Sequence, residues 1–335
     1  MKVWTSEQAN AWYERIPWQV GFNYIPAYAV NTTEMWQSES FNITAIHNEL
    51  LLASSAGYNS IRLFLPFIVW ENERTSFLSH FESVLSIASK CGMSVLPVLF
   101  DDCAFDHGKD PVLGKQPDPI PGSQLGRWTP CPGFAVADNP EKQPLLREYV
   151  HAVVELHRDD PRILAWDMFN EPGNTNRNNE SLPLLVNSFR WTRECNPIQP
   201  LTSGLWLHDQ RNSVTAAMLE LSDVVSFHTY TSLDTTKEFV DYLSEQKKPL
   251  FVTEWLCRTG NNTFFTHLPF FAHNKISCWN WGCVVGRTQA HLQYFVNSDP
   301  APKVWKQDVF HPDGTPYDPE EIELIARLKA ESFPT

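Results

Sequence analysis

Short runs of apolar, β-branched and aromatic residues recur along the whole chain, each followed by a polar stretch and then by a segment with helical spacing. The runs are QVGFNYI (19–25), SIRLFLP (60–66), SVLPVLF (94–100), ILAWDMF (163–169), PLTSGLWL (200–207), VVSFHTY (224–230), PLFVTEW (249–255) and KISCWNW (275–281). This alternation predicts parallel strands joined by crossover helices. In SFLSHFESVLSIASKCG, Phe77, Phe81, Val84, Leu85 and Ala88 share one face and Gly92 suits a left-handed stop. QPLLREYVHAVVELH and LPLLVNSFRWTREC read as helices too. Thr5 and Gln8 stand at capping-box spacing in TSEQANAWYER, and PEEIELIARLKAE reads as a closing helix. Eight strand–helix units favour a closed (β/α)8 TIM barrel, a single domain over residues 1–335, rather than an open doubly wound sheet. No Gly-rich phosphate turn follows the first run, which argues further against a dinucleotide fold.

One connection is out of scale. Residues 101–140 follow the third run and are crowded with Pro, Gly and Asp. A loop of that length in a compact domain is commonly functional. Its place on the strand-exit side, with Trp128 and Phe134 in it, predicts a wall or lid over the site.

In such a barrel the site forms where strands end, so residues distant in sequence converge there. The exits carry Arg62, Asp101 and Asp102, Asn170 and Glu171, Trp206 and His208, His228 and Tyr230, Glu254, and Trp279 with Trp281. Composition narrows what they serve. A formal charge of −13 with no basic run argues against nucleic acid, whereas 13 Trp, 21 Phe and 9 Tyr need a large core or an aromatic cleft. Seven Cys, an odd count without a CxxC pair, suit buried or free thiols. No apolar stretch is long enough for a membrane span and no basic, then apolar, leader opens the chain, so a cytoplasmic protein is expected. Asp101, Asp106 and His107 match no metal-ligand spacing, and neither a metal nor a cofactor is expected.

Glycoside cleavage needs one carboxylic acid to protonate the leaving oxygen and one carboxylate across the sugar ring. Glu171 and Glu254, from the fourth and seventh strands, supply both. Arg62 or the Tyr230 hydroxyl beside Glu254 would keep it ionised, while desolvation and a second negative charge would raise Glu171.

The order of these motifs, Asn-Glu after strand four, His-x-Tyr after strand six, VTEW at strand seven and Trp on strand eight, resembles the retaining β-glycosidases of clan A. GFNYIPAYAVNTTEMWQ, WDMFNEP and CWNWGCVVGRTQ look closer still to a bacterial group of cellulase-like, glycoside hydrolase family 5-like proteins. The resemblance implies a double displacement with Glu171 as acid/base, Glu254 as nucleophile, Asn170 at the sugar 2-hydroxyl, and Tyr230 and Arg62 orienting the nucleophile. His228 would line the site. Of Trp279 and Trp281, one is expected to face the mouth while its neighbour packs against helices, and Trp279 is the expected platform. Trp206, Asp101, Asp102 and Trp36, with Asn31 and Gln37 near it, complete the expected substrate contacts. The sequence departs from the group at Pro66 and Phe67 and at FDDCAFD, exits that bear on which sugar is bound. The expected partner is a carbohydrate, cleaved from the end of short glycosides. An endo-acting glycanase and a catalytically silent carbohydrate-binding barrel are the alternatives.

Overall fold

The computed structural model describes residues 2–207, 209, 211–293 and 302–332; His208 lies outside them. Eight parallel strands form at the eight runs: β1 Val20–Asn23, β2 Ser60–Phe64, β3 Ser94–Val98, β4 Trp166–Asn170, β5 Leu201–Gly204, β6 Val225–His228, β7 Leu250–Trp255 and β8 Ser277–Trp281. They pair in the order β5-β4-β3-β2-β1-β8-β7-β6. The remaining seam closes through a parallel bridge between Leu205 and Phe227, with Leu205 N–H donating to Ser226 O at 3.1 Å and His228 N–H to Leu205 O at 2.8 Å. The result is the expected (β/α)8 barrel.

Helices cover the outside because their apolar faces have nowhere else to go. In the helix Phe67–Lys90, Phe77, Phe81, Val84, Leu85 and Ala88 are all buried, and Gly92 beyond it takes a φ of +71°. The helix Gln143–His157 buries Leu146, Tyr149, Val150, Val153 and Val154 in the same way. The capping box at Thr5 and Gln8 forms, and the helix Pro319–Glu331 closes the shell.

Inside the barrel, side chains stack in tiers. The lowest is apolar, made of Leu96, Leu164, Ala165, Val224, Phe251 and Trp279, and is plugged from below by Trp12, Tyr13 and Ile16. Small hydroxyls bridge the next level, with Ser94 Oγ 2.9 Å from Ser60 Oγ and Thr202 Oγ1 2.8 Å from Ser226 Oγ. Above them lie Asn23, Arg62, Asp167 and His228, and the tier at the mouth holds the remaining site residues.

Trp279 therefore belongs to the core rather than to a sugar platform. It is fully buried, its Nε1 donates to Ser60 Oγ at 3.0 Å, and its ring sits 5.2 Å from Phe251. Strand parity explains the correction: residues two apart share a face, so Trp279 and Trp281 both point inward, one tier apart. Gly21 on the neighbouring strand makes the room, since a Cβ there would stand 2.4 Å from the Trp279 ring. Trp36 is also core. Its Nε1 donates to Phe64 O at 2.8 Å, and it packs against Phe41, Phe77 and Phe81 under the helical shell.

Replacing Trp279 by Ala opens a cavity in a closed tier and should cost about 3–5 kcal/mol of stability. The denaturant midpoint would report it, with no change in the unfolding slope.

Candidate active site

Two of the strands that deliver the site break their own alternation to do so. Along β4, Asp167 points inward to Arg62, and strict alternation would send Asn170 outward. The β4–β5 register instead shifts between Asp167 and Asn170, so both face the interior. On β7, Phe251 faces inward, and a register shift between Phe227/His228 and their β7 partners admits Thr253 as an extra residue, turning Glu254 inward and Trp255 out toward Phe264 and Phe271. Such bulges re-aim a side chain at a barrel rim. Glu171, just past β4, takes a left-handed φ of +46°, a conformation that costs a non-glycine residue and folds its carboxyl back over the mouth.

Arg62, fully buried at the centre, holds the tier together. Its Nε and NH2 donate to Asp167 Oδ2 at 3.0 and 2.8 Å, NH1 to Asn23 Oδ1 at 2.9 Å and Glu254 Oε1 at 2.7 Å, and NH2 to Asn170 Oδ1 at 2.7 Å. Burial works against its charge, but Asp167 and Glu254 outweigh burial and its pKa is raised. Gly204 on β5 leaves space for this arrangement, because a Cβ would come 2.9 Å from His228 Nε2 and 3.0 Å from Arg62 NH2.

The second oxygen of Glu254 accepts the Tyr230 hydroxyl at 2.8 Å. Glu171 has different company: His228 Nδ1 at 2.6 Å from Oε1, and the Asn174 amide and the Cys103 thiol, the latter at 3.2 Å, on Oε2. Burial raises the pKa of both carboxyls above 4.5; Arg62 and Tyr230 oppose it at Glu254, and Cys103, Asn174 and Arg62 at Glu171. Burial also holds His228 down at about 4, so its imidazole is neutral. Among the described residues the tier thus holds one fixed cation, Arg62, and Asp167 and Glu254 both bond it directly. Glu171 does not, so the proton that the pair retains belongs on Glu171 and the charge on Glu254.

The long loop is a wall. Leu125 N–H donates to Thr288 O at 2.8 Å, Gln289 Nε2 to Ile120 O and Ser123 O at 2.7 and 2.8 Å, and Asn31 Nδ2 to Gln116 Oε1 at 2.9 Å. Gln37 ties it again at Gly114 O. With β8 it borders a pocket lined by Asn170, Glu171, Tyr230 and Glu254 below and by Cys103, Phe105, Leu125, Trp128, Trp281 and Gln307 around. Trp281 is the aromatic face that sequence reasoning assigned to Trp279. Phe134, also expected in the wall, instead lies under Arg177, with the guanidinium 4.7 Å from its ring.

Asp101 and Asp102 do not line the pocket. They brace it. Asp101 Oδ1 accepts Cys103 N–H at 2.9 Å and Asn170 Nδ2 at 2.8 Å, and its Oδ2 accepts the Trp128 indole at 2.6 Å. Asp102 Oδ2 accepts Gly173 N–H at 2.7 Å and the Ser181 hydroxyl, fixing the turn after Glu171. Burial pushes these carboxyls up to about 7 and about 6. Trp206 likewise grips the loop, donating to Pro172 O at 3.1 Å, and is not part of the pocket lining. Phe67, expected near the sugar, packs between Trp70 and Tyr149.

Cys103, Phe105, Gln307 and the bracing pair Asn23 and Asp167 were not singled out from sequence. Asp167 carried a usable signal, a charged residue inside an apolar run; Cys103 and Gln307 carried none. Donor atoms of Glu171, His228 and Glu254 lie within 4.8 Å of one another. A cation could use that spacing, but Arg62 already supplies the positive charge and His228 Nδ1 is engaged by Glu171. Asp106 is paired with Lys109 and Arg127 at 3.3 and 3.4 Å and joins no ligand group. Among the described residues no helix is long and apolar enough to cross a membrane.

The sequence matches no protein-family model and no curated protein sequence. Solved structures share the fold. The exo-β-1,4-mannosidase from Opitutaceae bacterium strain TAV5 aligns over 94% of this chain and 60% of its own, with a TM-score of 0.65 at 16% identity. The GH5_18 protein from Streptomyces cattleya in complex with Manβ1-4GlcNAc covers 95% and 81%, with a TM-score of 0.62 at 13% identity. The endo-β-1,4-mannanase from Thermotoga petrophila covers 96% and 78%, with a TM-score of 0.60 at 12% identity. This chain therefore spans about 60% of the length of the first of these.

Arg62→Gln should leave Asp167 and Glu254 buried without a cation. The expected loss is about 3–5 kcal/mol of stability, read by chemical denaturation, with Asp167→Asn partly relieving it in the double variant.

Proposed function

The barrel architecture shared with these glycoside hydrolases is the premise from which we propose that this chain is a retaining β-glycosidase acting by double displacement. One observation carries the reading. Two buried carboxyls face each other across the mouth with oxygens within 4.8 Å, one anchored by a guanidinium and a phenol and the other by no direct cation. Oxygens that close favour the roughly 5–5.5 Å carboxyl separation of retaining enzymes over the roughly 6.5–9.5 Å of inverting ones.

In the first step Glu254 attacks the anomeric carbon while Glu171 protonates the departing oxygen. Arg62 and Tyr230 hold Glu254 ionised and aimed. Asn170 Nδ2 bonds Asp101 and, more weakly, Cys103 Sγ at 3.6 Å; the N–H on the sulfur would turn to the 2-hydroxyl, and Trp281 offers a ring face to the sugar. Glu171, now a carboxylate, takes a proton from water, which attacks the glycosyl–Glu254 ester and regenerates the site.

The enclosing wall supports exo action. Phe105, Leu125 and Trp128 of that wall stand against the two carboxyls and narrow the mouth, which suits a chain end rather than a polymer passing through. β-Mannosides are the first substrate class to try, since mannosidases and mannanases recur among the similar structures.

Activity requires Glu254 ionised and Glu171 protonated. It should therefore rise as pH climbs through the Glu254 pKa and fall as pH climbs through that of Glu171, both above 4.5 because burial raises both. Glu171→Ala should slow glycosides with poor leaving groups about 10²- to 10⁴-fold, spare activated aryl glycosides in the first step, abolish the alkaline limb, and respond to azide. Assays on aryl β-glycosides of mannose, glucose, galactose, xylose and fucose, beside intact mannan, xylan and glucan, test the exo assignment. Rapid mid-chain cutting of a polymer without aryl glycoside turnover would refute it. Glycan binding with no hydrolysis that Glu254→Ala abolishes would mark a silent binding barrel.

A further inference from the structure

Among the described residues three groups hydrogen-bond the Glu171 carboxyl, and they do not stand in equivalent places. His228 approaches from the buried tier below and Asn174 from the half-buried turn after β4, whereas Cys103 alone among them lines the pocket. Its position is built. Asp101 captures its backbone N–H at 2.9 Å, and the next residue, Ala104, donates its N–H to Thr175 Oγ1 at 3.1 Å, in the loop that carries Glu171. Asn170 Nδ2 reaches the sulfur at 3.6 Å. The β3 exit and the β4 exit are thus clamped together on either side of one thiol, which points at Glu171 Oε2 from 3.2 Å.

We propose that Cys103 is a positioning residue that sets the proton affinity of Glu171 from the pocket side, a role that rests on reading Glu171 as the acid/base. The chemistry follows from the donor. A thiol S–H is a weak hydrogen-bond donor, so it favours the Glu171 carboxylate slightly. A hydroxyl there would favour it more, and a methyl not at all. The sulfur stays a donor throughout, because burial, with Glu171 and Asp101 nearby, lifts the thiol pKa well above its ordinary value. A weak donor serves both halves of the cycle: it steadies Glu171 when ionised without lowering its pKa so far that the protonated form needed at the leaving group is lost.

The other titratable groups facing Glu171 come from four elements: Arg62 on β2, Asp101 at the β3 exit, His228 on β6, and Glu254 on β7 with Tyr230 bonded to it. None changes when Cys103 is replaced by Ser or Ala, so an ordered response isolates the thiol.

The test compares wild type, Cys103→Ser and Cys103→Ala in two measurements. One is the alkaline limb of kcat/KM on an aryl glycoside that the wild type hydrolyses. The other is a carboxyl ¹³C titration of the protein, with the Glu171 resonance identified by its loss in Glu171→Gln. Both should move together, upward in Ala and downward in Ser, by roughly half a pH unit each, the size of one weak hydrogen bond. Ser retains size and donor, so it carries the test alone if Ala does not fold. An unmoved Glu171 titration in variants that melt like wild type overturns the proposal. An ordered titration in a protein that hydrolyses no glycoside supports the hold of Cys103 on Glu171 and overturns the glycosidase reading instead.

Discussion

A single buried guanidinium constrains everything above it in this barrel. Arg62 has five N–H donors, and all five are taken by Asn23, Asp167, Asn170 and Glu254. Taking a charge this far from water is tolerable only if paired and fully bonded. That requirement forces three strands, β1, β4 and β7, to present polar acceptors at one height, and so fixes where Glu254 and the Asn170–Glu171 step can be. It also decides their difference. Glu254 bonds the cation directly and Glu171 does not, an asymmetry that favours charge on Glu254 and that the proposed acid/base and nucleophile roles would use.

The fold was legible because each strand is a short apolar run bounded by turn chemistry, repeated eight times. Arg62, Glu171, Glu254, His228 and Tyr230 were legible for a related reason: polar residues at the ends of such runs meet at one mouth. What the sequence could not convey was depth and parity. Trp279 and Trp281 share a face, and only the tier at which each sits separates a core residue from a pocket wall. Inward placement of both Asp167 and Asn170, and of Glu254 after Phe251, depends on bulges that no run of letters announces. Asp101 and Asp102 look like sugar ligands by position, yet their oxygens are consumed by Trp128, Asn170, Cys103, Gly173 and Ser181.

The wall formed by residues 101–140 converts a barrel mouth into a pocket, tied to the rim by hydrogen bonds at Asn31, Gln37 and Gln289. Asp101 reaches both parts of the site at once, gripping the Trp128 indole on the wall side and Asn170 on the floor. Substrate selection and the reactive centre are therefore braced by the same carboxylate, and a change in the loop would be felt at Asn170 and Glu171.

The central claim is that Glu254 forms a covalent bond to the sugar. Incubation with 2-deoxy-2-fluoro β-glycosyl fluorides, which slow breakdown of a glycosyl ester more than its formation, followed by proteolysis and mass spectrometry, tests it directly. The account predicts one added fluoro-sugar on the peptide carrying Glu254, and none on that carrying Glu171. A label on Glu171, or release of an inverted product with no adduct on Glu254, would contradict it.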